Sequence, residues 1–467
     1  MKVTREATLV AYRAFSDVAG KGAFFIVTVL AARRLSQDAF GVFSLGTTLG
    51  WMAAVATDAG IQLHLARAVA RSPDRASALL RTWLRVRLWT AFVALAAVVV
   101  VLALTGAAGS FALAILLFVT LYIVSGLVEF LHYYYRGLSR SDIESTLTLG
   151  QRFGTLACAA LALAWLPDVT TFAVAMLVPM VITFGYSLRQ AFRLASLPSS
   201  SAPPFDPAES VSRRRSPWLE MRSDIMPIGI GIVLSALYFR IDVFLLQIWS
   251  GTGAVALYNA VFRLVEALRL FPAAVMAVAL PTLCRATSAR PLLGVSAVVT
   301  SFSFVVALGL WFAADPLVPL VYGEQYADAV PAFQILVASF PLMSLNYALT
   351  HQLIGWNGHR AYALICAGAL VFNVALNARL IPEMSIAGAA WSTFWTEALL
   401  AAACAATLWS RRVSPTSGDH VGRGETEASI SSGPSRARSR DERGLTTSRP
   451  GDAVANERGW DPASLRK

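Results

Sequence analysis

The chain has few cysteines and little charge for its length. Charged residues make up 14% of its 467 residues, whereas they form about a quarter of an ordinary soluble domain. The cysteines are scattered, and none belongs to a CxxC pair: Cys158, Cys284, Cys366 and Cys404. This pattern argues against a disulfide framework or a metal centre. We therefore expect small apolar core cysteines, no metal and no cofactor.

The amino terminus lacks the features of a cleavable leader. Two basic residues, Lys2 and Arg5, precede an apolar stretch of full membrane-spanning length. No small-residue cleavage site follows that stretch, as it would in a signal peptide. We therefore predict that the first apolar segment is an uncleaved membrane helix.

Long apolar runs dominate the sequence. Hydrophobic residues make up 56% of the chain, and the mean hydropathy is +0.58. Several stretches contain no charged residue: 92–104, 111–128, 172–184 and 301–313. Because a bilayer core needs roughly 20 apolar residues per helix, the pattern predicts an all-α polytopic membrane protein with about 12 transmembrane helices. The predicted spans are 10–32, 40–62, 88–107, 110–134, 148–166, 170–192, 226–249, 253–282, 293–320, 327–355, 360–381 and 385–409.

Arginines are concentrated on one side of the predicted membrane. With the amino terminus placed in the cytoplasm, the loops on its side hold Arg67, Arg71, Arg75, Arg81, Arg85, Arg87, Arg136, Arg140, Arg213, Arg214, Arg215, Arg222, Arg285, Arg290 and Arg360. The opposite loops are short and carry three arginines against six carboxylates. This asymmetry follows the positive-inside rule and predicts that both termini are cytoplasmic. The formal net charge of +11 therefore reflects topology, and we expect no nucleic-acid partner.

The two halves of the sequence resemble each other. The segment Phe40–Phe43 opens the second predicted helix, and Val255–Tyr258 opens the eighth, 215 residues later. Leu166–Asp168 recurs as Ile381–Glu383 at the same offset. Because each half holds six predicted helices, equivalent helices point the same way. This predicts two pseudo-symmetric six-helix bundles related by an axis along the membrane normal.

Composition predicts the domain boundaries. We expect an amino-terminal six-helix lobe over residues 1–194 and a carboxyl-terminal six-helix lobe over residues 225–410. Residues 195–224 are rich in Ser, Pro and Arg, which is typical of a cytoplasmic linker. Residues 411–467 contain a single aromatic residue, Trp460, and predict a disordered cytoplasmic tail. That tail is either a dispensable solvated segment or a regulatory one that contacts anionic lipid headgroups.

Cationic side chains within the predicted helices are candidate ligands for an anionic cargo, because an ionisable group at bilayer depth is costly. The predicted substrate-binding residues are Arg13, Lys21, Arg240, Arg263 and Arg269. Lys21 either contacts cargo or is neutralised by Asp17 one turn away. Arg13 alternatively extends to the interface. Arg263 and Arg269 either face a cavity or form a structural cluster with Glu266.

Carboxylates within the helices are candidates for ion coupling or gating. They are Asp17, Asp58, Asp242, Glu266 and Glu397. Asp58 lies near the end of the second predicted helix and alternatively stabilises that end. Glu397 lies near mid-depth on the twelfth predicted helix and alternatively pairs with a neighbouring helix. Three further charged or titratable residues lie near the predicted cytoplasmic helix ends and are expected at the interface: Glu129, His132 and Arg152.

A series of motifs runs in a fixed order along residues 10–409. They are Ala32–Leu35, Phe40–Leu45, Asp58–Ile61, Ala66–Arg67, Tyr238–Asp242, Tyr258–Leu264, Val321–Tyr326, Asn373–Asn377, Leu380–Pro382 and Gly388–Ala390. Together they resemble polysaccharide flippases of the multidrug/oligosaccharidyl-lipid/polysaccharide exporter superfamily. The likeness is greater to the Wzx-type O-antigen branch than to lipid II flippases, which typically carry two further helices for which this chain has no room.

The resemblance implies a function. A protein of this kind moves polyprenyl-diphosphate-linked sugars from the inner to the outer leaflet of the bacterial plasma membrane, for surface polysaccharide biosynthesis. The implied partners are the lipid-linked glycan, membrane lipid, and polysaccharide polymerase and glycosyltransferase enzymes. No covalent chemistry is needed, because fixed Arg and Lys side chains in a water-filled cavity can replace the hydration of a diphosphate during alternating access.

Two other functions compete with this interpretation. A multidrug or cation antiporter of the same superfamily would favour carboxylates in its cavity, whereas the first and eighth predicted helices offer Lys and Arg. A membrane-embedded polymerase or glycosyltransferase would need a sizeable outer loop or an acidic catalytic motif. The outer loops are short and contain no DxD motif, so we expect a transporter and not an enzyme.

Cysteine-accessibility labelling tests the predicted topology. In a background without native cysteines, cysteines introduced at positions 37 and 168 should react with a membrane-impermeant maleimide added to intact cells. Cysteines at positions 75 and 214 should react only after the membrane is permeabilised. Labelling of position 214 from the outside would contradict the placement of both termini in the cytoplasm.

Overall fold

The computed structural model describes residues 2–106, 109–195, 226–285, 290–356 and 358–413. The predicted linker and tail lie almost entirely outside these ranges. Within them, nearly every residue is helical and no strand is present. Ten helical segments of the described chain are long and apolar enough to cross a membrane. The predicted fold class, an all-α polytopic membrane protein, is therefore confirmed.

Twelve α-helices make up the described chain. They are α1 (Lys2–Arg34), α2 (Gln37–Asp58), α3 (Ile61–Arg71), α4 (Ala76–Leu104), α5 (Gly109–Gly137), α6 (Ser141–Trp165), α7 (Val169–Ala195), α8 (Met226–Leu268), α9 (Leu270–Arg285), α10 (Arg290–Tyr322), α11 (Val330–Gly355) and α12 (His359–Val413). Short 3₁₀ turns, Pro73–Arg75 and Glu324–Ala329, precede α4 and α11.

Two of the helices contain an internal break. Gly251 in α8 has φ 81°, and Ser385 in α12 has φ 49°. Glycine adopts such a conformation without a Cβ clash. Gly251 lies 215 residues after Ser36, the residue that caps the amino terminus of α2, so the break recurs at the offset of the sequence repeat. Each break divides its helix into two arms, at the places where the sequence predicts separate helices. The total of 12 membrane crossings stays a prediction.

Asp58 stabilises a second kind of break, between α2 and α3. Ala59 and Gly60 both adopt left-handed conformations there. The Asp58 carboxylate accepts hydrogen bonds from the backbone nitrogens of Gly60 at 3.1 Å and Gln62 at 3.2 Å. Those nitrogens begin a helix and have no partner within it. The second predicted helix, drawn to residue 62, therefore ends at Asp58 instead.

Helices α1–α7 pack mainly on one another, as do α8–α12, and α2 joins the two groups along α8. Glycine allows close approach near both ends of this contact. A Cβ on Gly41 would lie 2.2 Å from the Thr252 carbonyl oxygen, and one on Gly229 would lie 2.3 Å from that of Ala59. Between them, the rings of Trp51 and Phe239 meet at 6.5 Å.

Further contacts join the two groups of helices at the end of the molecule where α1 ends, which we call the Arg33 end. The Arg33 guanidinium donates to the Val321 carbonyl oxygen at 2.8 Å. Gln325 donates to the Ala32 carbonyl oxygen, also at 2.8 Å. The rings of Phe40 and Tyr326 pack edge to face at 5.8 Å. The Arg33 end is therefore closed by direct contacts of α1 and α2 with the end of α10 and the 3₁₀ turn Glu324–Ala329.

A side chain at Gly41 should open the contact between α2 and α8. Gly41→Val should lower the free energy of unfolding by about 1–3 kcal/mol, because the added atoms overlap Thr252 backbone. Gly22→Ala is the matched control, since a Cβ there has nothing within 4 Å. Thermal melting of the purified proteins measures both effects. Equal melting temperatures for Gly41→Val and the wild type would contradict this packing.

Removal of the Asp58 carboxylate should also destabilise the fold. Asp58 lies 3.9 Å from the guanidinium of Arg87, whose side chain is 1% exposed. Asp58→Ala would leave that buried charge without its carboxylate, at a cost of about 3–5 kcal/mol. The double variant Asp58→Ala/Arg87→Leu should recover most of the loss in a denaturant titration. Wild-type stability of Asp58→Ala would instead favour the gating or ion-coupling role.

Candidate functional site

A cavity of about 620 Å³ lies between the two groups of helices. Helices α1, α5, α6 and α7 form one wall, and the second arm of α8 with α9 and α11 forms the other. Four cations line the cavity against a single carboxylate: Lys21, Arg152, Arg263 and Arg269, with Glu266. The remaining lining is mostly apolar, with a few hydroxyl and amide groups.

Helix α1 presents one face to the cavity. Lys21, Phe24, Phe25 and Thr28 follow one another at helical spacing and all line it. The neighbouring Gly22 also lines it, and a Cβ there would meet open space. This face therefore offers both a cation and room beside it.

The wall formed by α8 contains a shared carboxylate. Glu266 accepts hydrogen bonds from Arg263 at 2.8 Å and from Arg240 at 3.1 Å. The sequence places Glu266 within reach of Arg263 and Arg269, but its second partner is Arg240. The guanidinium of Arg269 instead lies 4.5 Å from the ring centroid of Phe239.

Arg240 is buried behind the cavity wall. It is 4% exposed, and it also donates to the Asn259 side-chain oxygen at 3.2 Å. Its guanidinium lies 4.4 Å from the ring centroid of Phe262. Arg240 is absent from the lining of the cavity, and its hydrogen bonds join the two arms of α8.

Phe24 lies between cations from the two walls. The guanidinium of Arg152 is 5.8 Å from its ring centroid, and that of Arg263 is 5.6 Å away. Within the described ranges, no carboxylate oxygen lies within 4.0 Å of Lys21, Arg152 or Arg269. Three positive charges at the cavity therefore lack an ion-pair partner from the described part of the protein.

Two of the predicted residues of α1 lie outside the cavity lining. Arg13 lies 3.6 Å from Glu144 on α6, which in turn binds Arg136. Asp17 is exposed, one helical turn from Lys21. Arg13 therefore belongs to the contact between α1 and α6, where the Ser16 hydroxyl also donates to a backbone oxygen at 3.0 Å.

The two remaining predicted carboxylates are buried within the group α8–α12. Asp242 accepts hydrogen bonds from the Tyr258 hydroxyl and, at 2.9 Å, from the backbone nitrogen of Val243. Glu397 accepts one from the Tyr238 hydroxyl and one from the Asn346 amide, each at 2.5 Å. Neither carboxylate lines the cavity. The two donors to Glu397, Tyr238 and Asn346, are adjacent in sequence to Phe239 and to the cavity residue Tyr347.

The prediction that Arg152 lies at the interface is wrong. The fifth predicted helix begins at residue 148, but α6 begins at Ser141. Arg152 therefore lies near the middle of its helix and faces the cavity. Asp142 and Glu144 in the first turn lower the local hydropathy and conceal the true start. The acidic first turn was the available signal, because carboxylates favour helix amino termini.

Comparison with known proteins identifies the family. The sequence profile described as polysaccharide biosynthesis protein matches residues 10–287, which is more than half of the chain. A search of curated proteins found no match.

Solved structures show the fold. An inward-facing multidrug resistance MATE family transporter of the MOP superfamily superposes with a TM-score of 0.66 at 13% identity, over 84% of this chain and 96% of that one. The lipid II flippase MurJ in an inward closed conformation gives 0.65 at 11% identity, over 86% and 87%. An outward-facing MATE transporter gives 0.56 at 15% identity, over 87% and 95%. The chain is thus a multi-pass membrane protein of the polysaccharide biosynthesis family, with the fold of the MOP-superfamily transporters.

Proposed function

We propose that this protein translocates a polyprenyl-diphosphate-linked oligosaccharide across the bacterial plasma membrane, for surface polysaccharide biosynthesis. The observation that carries the proposal is the cavity between the two groups of helices, with four cations and one carboxylate. Membership of the polysaccharide biosynthesis family and the fold shared with a lipid II flippase agree with such a cargo.

The charges of the cavity suit a diphosphate. Arg152 and Arg263 reach the cavity from opposite walls, and both guanidinium groups lie within 6 Å of the Phe24 ring centroid, so both can contribute to the binding of one anion. Guanidinium groups bind phosphate oxygens with two parallel hydrogen bonds, whereas Lys21 acts as a compact point charge. The volume of about 620 Å³ lies within the usual range of ligand sites. It accommodates the diphosphate and adjoining sugar, while the prenyl chain remains in lipid.

The packing supports alternating access. Direct contacts close the Arg33 end, and the TM-score is higher with the inward-facing MATE transporter than with the outward-facing one. In the proposed cycle, the headgroup enters from the cytoplasmic side, and the two groups of helices then rock until the Arg33 end opens. In this proposal the two moving units are the lobes predicted at residues 1–194 and 225–410, with residues 195–224 as the linker.

We assign a coupling role to the buried carboxylates of the second lobe. Among the described residues, the donors to the Glu397 carboxylate are the neutral side chains of Tyr238 and Asn346, so a coupling ion can bind there without breaking an ion pair in this part of the protein. Its donor Tyr238 is adjacent in sequence to Phe239, whose ring Arg269 contacts. Asp242, bound by Tyr258, is the second candidate.

The geometry disfavours the alternative of a multidrug or cation antiporter. A cationic cargo needs an available carboxylate in the cavity. The carboxylate that lines the cavity, Glu266, already accepts hydrogen bonds from Arg240 and Arg263. Asp17 and Glu397 lie outside the lining.

Loss of charge at Arg263 should abolish export. In Arg263→Gln, lipid-linked oligosaccharide should accumulate on the cytoplasmic side at normal protein levels. Arg263→Lys should retain partial export, because it keeps the charge but loses the planar fork. Accumulation is measured by lipid extraction and by protection of the glycan from an external probe. Normal export by Arg263→Gln, with defects only in Glu266 variants, would contradict the anionic-cargo site and favour an antiporter.

Substitutions of the cavity cations and of the buried Arg240 should have different effects on export and on thermal stability. Lys21→Gln and Arg152→Gln should each lower export with little change in melting temperature, since neither side chain has a carboxylate partner among the described residues to leave unpaired. Arg240→Gln should lower the melting temperature, because Glu266 and Asn259 lose a buried donor. Parallel measurement of export and thermal stability separates the two classes. A stable, export-deficient Arg240→Gln together with normal export by Arg152→Gln would contradict the placement.

A further inference from the structure

A second cationic surface lies on α3 and the first half of α4. Its exposed arginines are Arg67, Arg71, Arg75, Arg81 and Arg85. The sequence from residue 61 to residue 104 contains one carboxylate, Asp74, which pairs with Arg75 at 3.9 Å. The other four arginines therefore form a surface with a large excess of positive charge. No described residue of α3 or α4 lines the cavity, so this surface is separate from the candidate cargo site.

The arginines of α4 continue into a lipid-facing stripe. Arg81, Arg85, Leu88 and Phe92 lie on one face at helical spacing, and Leu88 and Phe92 are 45% and 62% exposed. The rings of Trp89 and Phe92 stack at 5.8 Å. Exposed apolar residues follow along the rest of α4. Of the residues in its most apolar 18-residue stretch, only 17% are buried. This helix therefore presents its side to hydrocarbon over most of its length.

The position of this stripe fixes the depth of the arginines. Trp side chains favour the membrane–water interface, with arginines just beyond it. Arg85 precedes Trp89 by about 6 Å along the helix axis, and Arg81 by about 12 Å. The apolar part of α4 thus places both guanidinium groups at the level of lipid headgroups, where phosphate oxygens are their natural partners.

Helix α3 holds further arginines beside the start of α4. Its apolar residues Ile61, Leu65 and Val69 are buried against the end of α5, where a Cβ on Gly137 would lie 2.9 Å from a backbone oxygen of α3. This packing fixes the helix on the protein and leaves Arg67 and Arg71, one turn apart, exposed. Helix α3 therefore buries its apolar face against the protein and leaves its cationic face exposed.

We propose that the surface formed by Arg67, Arg71, Arg81 and Arg85, with Trp89, binds the phosphate of an anionic membrane phospholipid. The guanidinium groups contact the headgroup, and the exposed apolar stripe of α4 contacts the acyl chains. Charge excess, an aromatic residue at the boundary and a continuous apolar stripe together distinguish this occupant from a soluble anion or an acidic protein.

Native mass spectrometry of the purified full-length protein tests the proposal. The titrants are phosphatidylglycerol and, as a zwitterionic control, phosphatidylcholine with the same acyl chains. The wild type should bind phosphatidylglycerol more tightly. Arg81→Gln/Arg85→Gln should weaken the first phosphatidylglycerol binding step about 30-fold, on the basis of about 1 kcal/mol per arginine near a headgroup. Arg81→Lys/Arg85→Lys should retain most of the binding, because it keeps both charges.

The matched control removes two exposed arginines at the Arg33 end. Arg34→Gln/Arg379→Gln gives the same net charge as the test variant and should bind phosphatidylglycerol like the wild type. If the test double variant does not purify as a monodisperse protein, each single variant should still weaken binding about fivefold. Equal affinity of the test variant and the wild type for phosphatidylglycerol would overturn the proposal. Equal affinity of the wild type for the two lipids would overturn it as well.

Discussion

Unpaired positive charge within the membrane is the constraint on which the rest of the structure depends. Lys21 and Arg152 reach the cavity from α1 and α6, and Arg269 reaches it from the turn between α8 and α9. Ionised groups cannot be left in hydrocarbon without a partner. The cavity must therefore hold water or an anion whenever these side chains are charged. Under the proposed function, closure around an empty cavity is unfavourable, and an anionic headgroup supplies the compensation that allows the two groups of helices to move.

The protein separates charges that stabilise its fold from charges that face the cavity. Arg87 with Asp58, and Arg240 with Glu266, are buried arginines with carboxylate partners inside the protein. Their contribution is chiefly to fix positions, because a buried ion pair adds little net stability, whereas loss of one partner is costly. Glu266 links the two classes. It binds the structural Arg240 and the cavity residue Arg263 with the same oxygen, and so fixes one guanidinium at the cavity while leaving the total charge of the cavity positive.

The sequence carries enough information for the fold class, because the length and polarity of each segment decide whether it can cross a bilayer. The repeat offset of 215 residues also anticipates where α8 breaks, since Gly251 is equivalent to the cap residue of α2. Three of the five predicted cations, Lys21, Arg263 and Arg269, reach the cavity. Arg152 was missed because the polar first turns of α6 shifted the predicted start of the helix.

The sequence could not predict that Arg13 and Arg240 lie outside the cavity lining, and the reason is different. Both side chains lie on helices that also carry a cavity residue, and periodicity alone does not say which neighbour a given face meets. Arg13 points to Glu144 on α6, and Arg240 points inward to Asn259 and Glu266. The partner of Arg13 lies on another helix, and those of Arg240 lie beyond the break in α8, so only tertiary packing distinguishes these arginines from the cavity cations.

Direct binding of a prenyl ligand series tests the central claim most sharply. The purified protein is titrated with a prenyl alcohol, its monophosphate and its diphosphate, which share one chain and differ in headgroup charge. The account predicts that affinity rises with each phosphate and that Arg152→Gln and Arg263→Gln, from opposite walls, each weaken binding of the diphosphate far more than binding of the alcohol. Equal affinities across the series, or loss of diphosphate binding in neither variant, would contradict it.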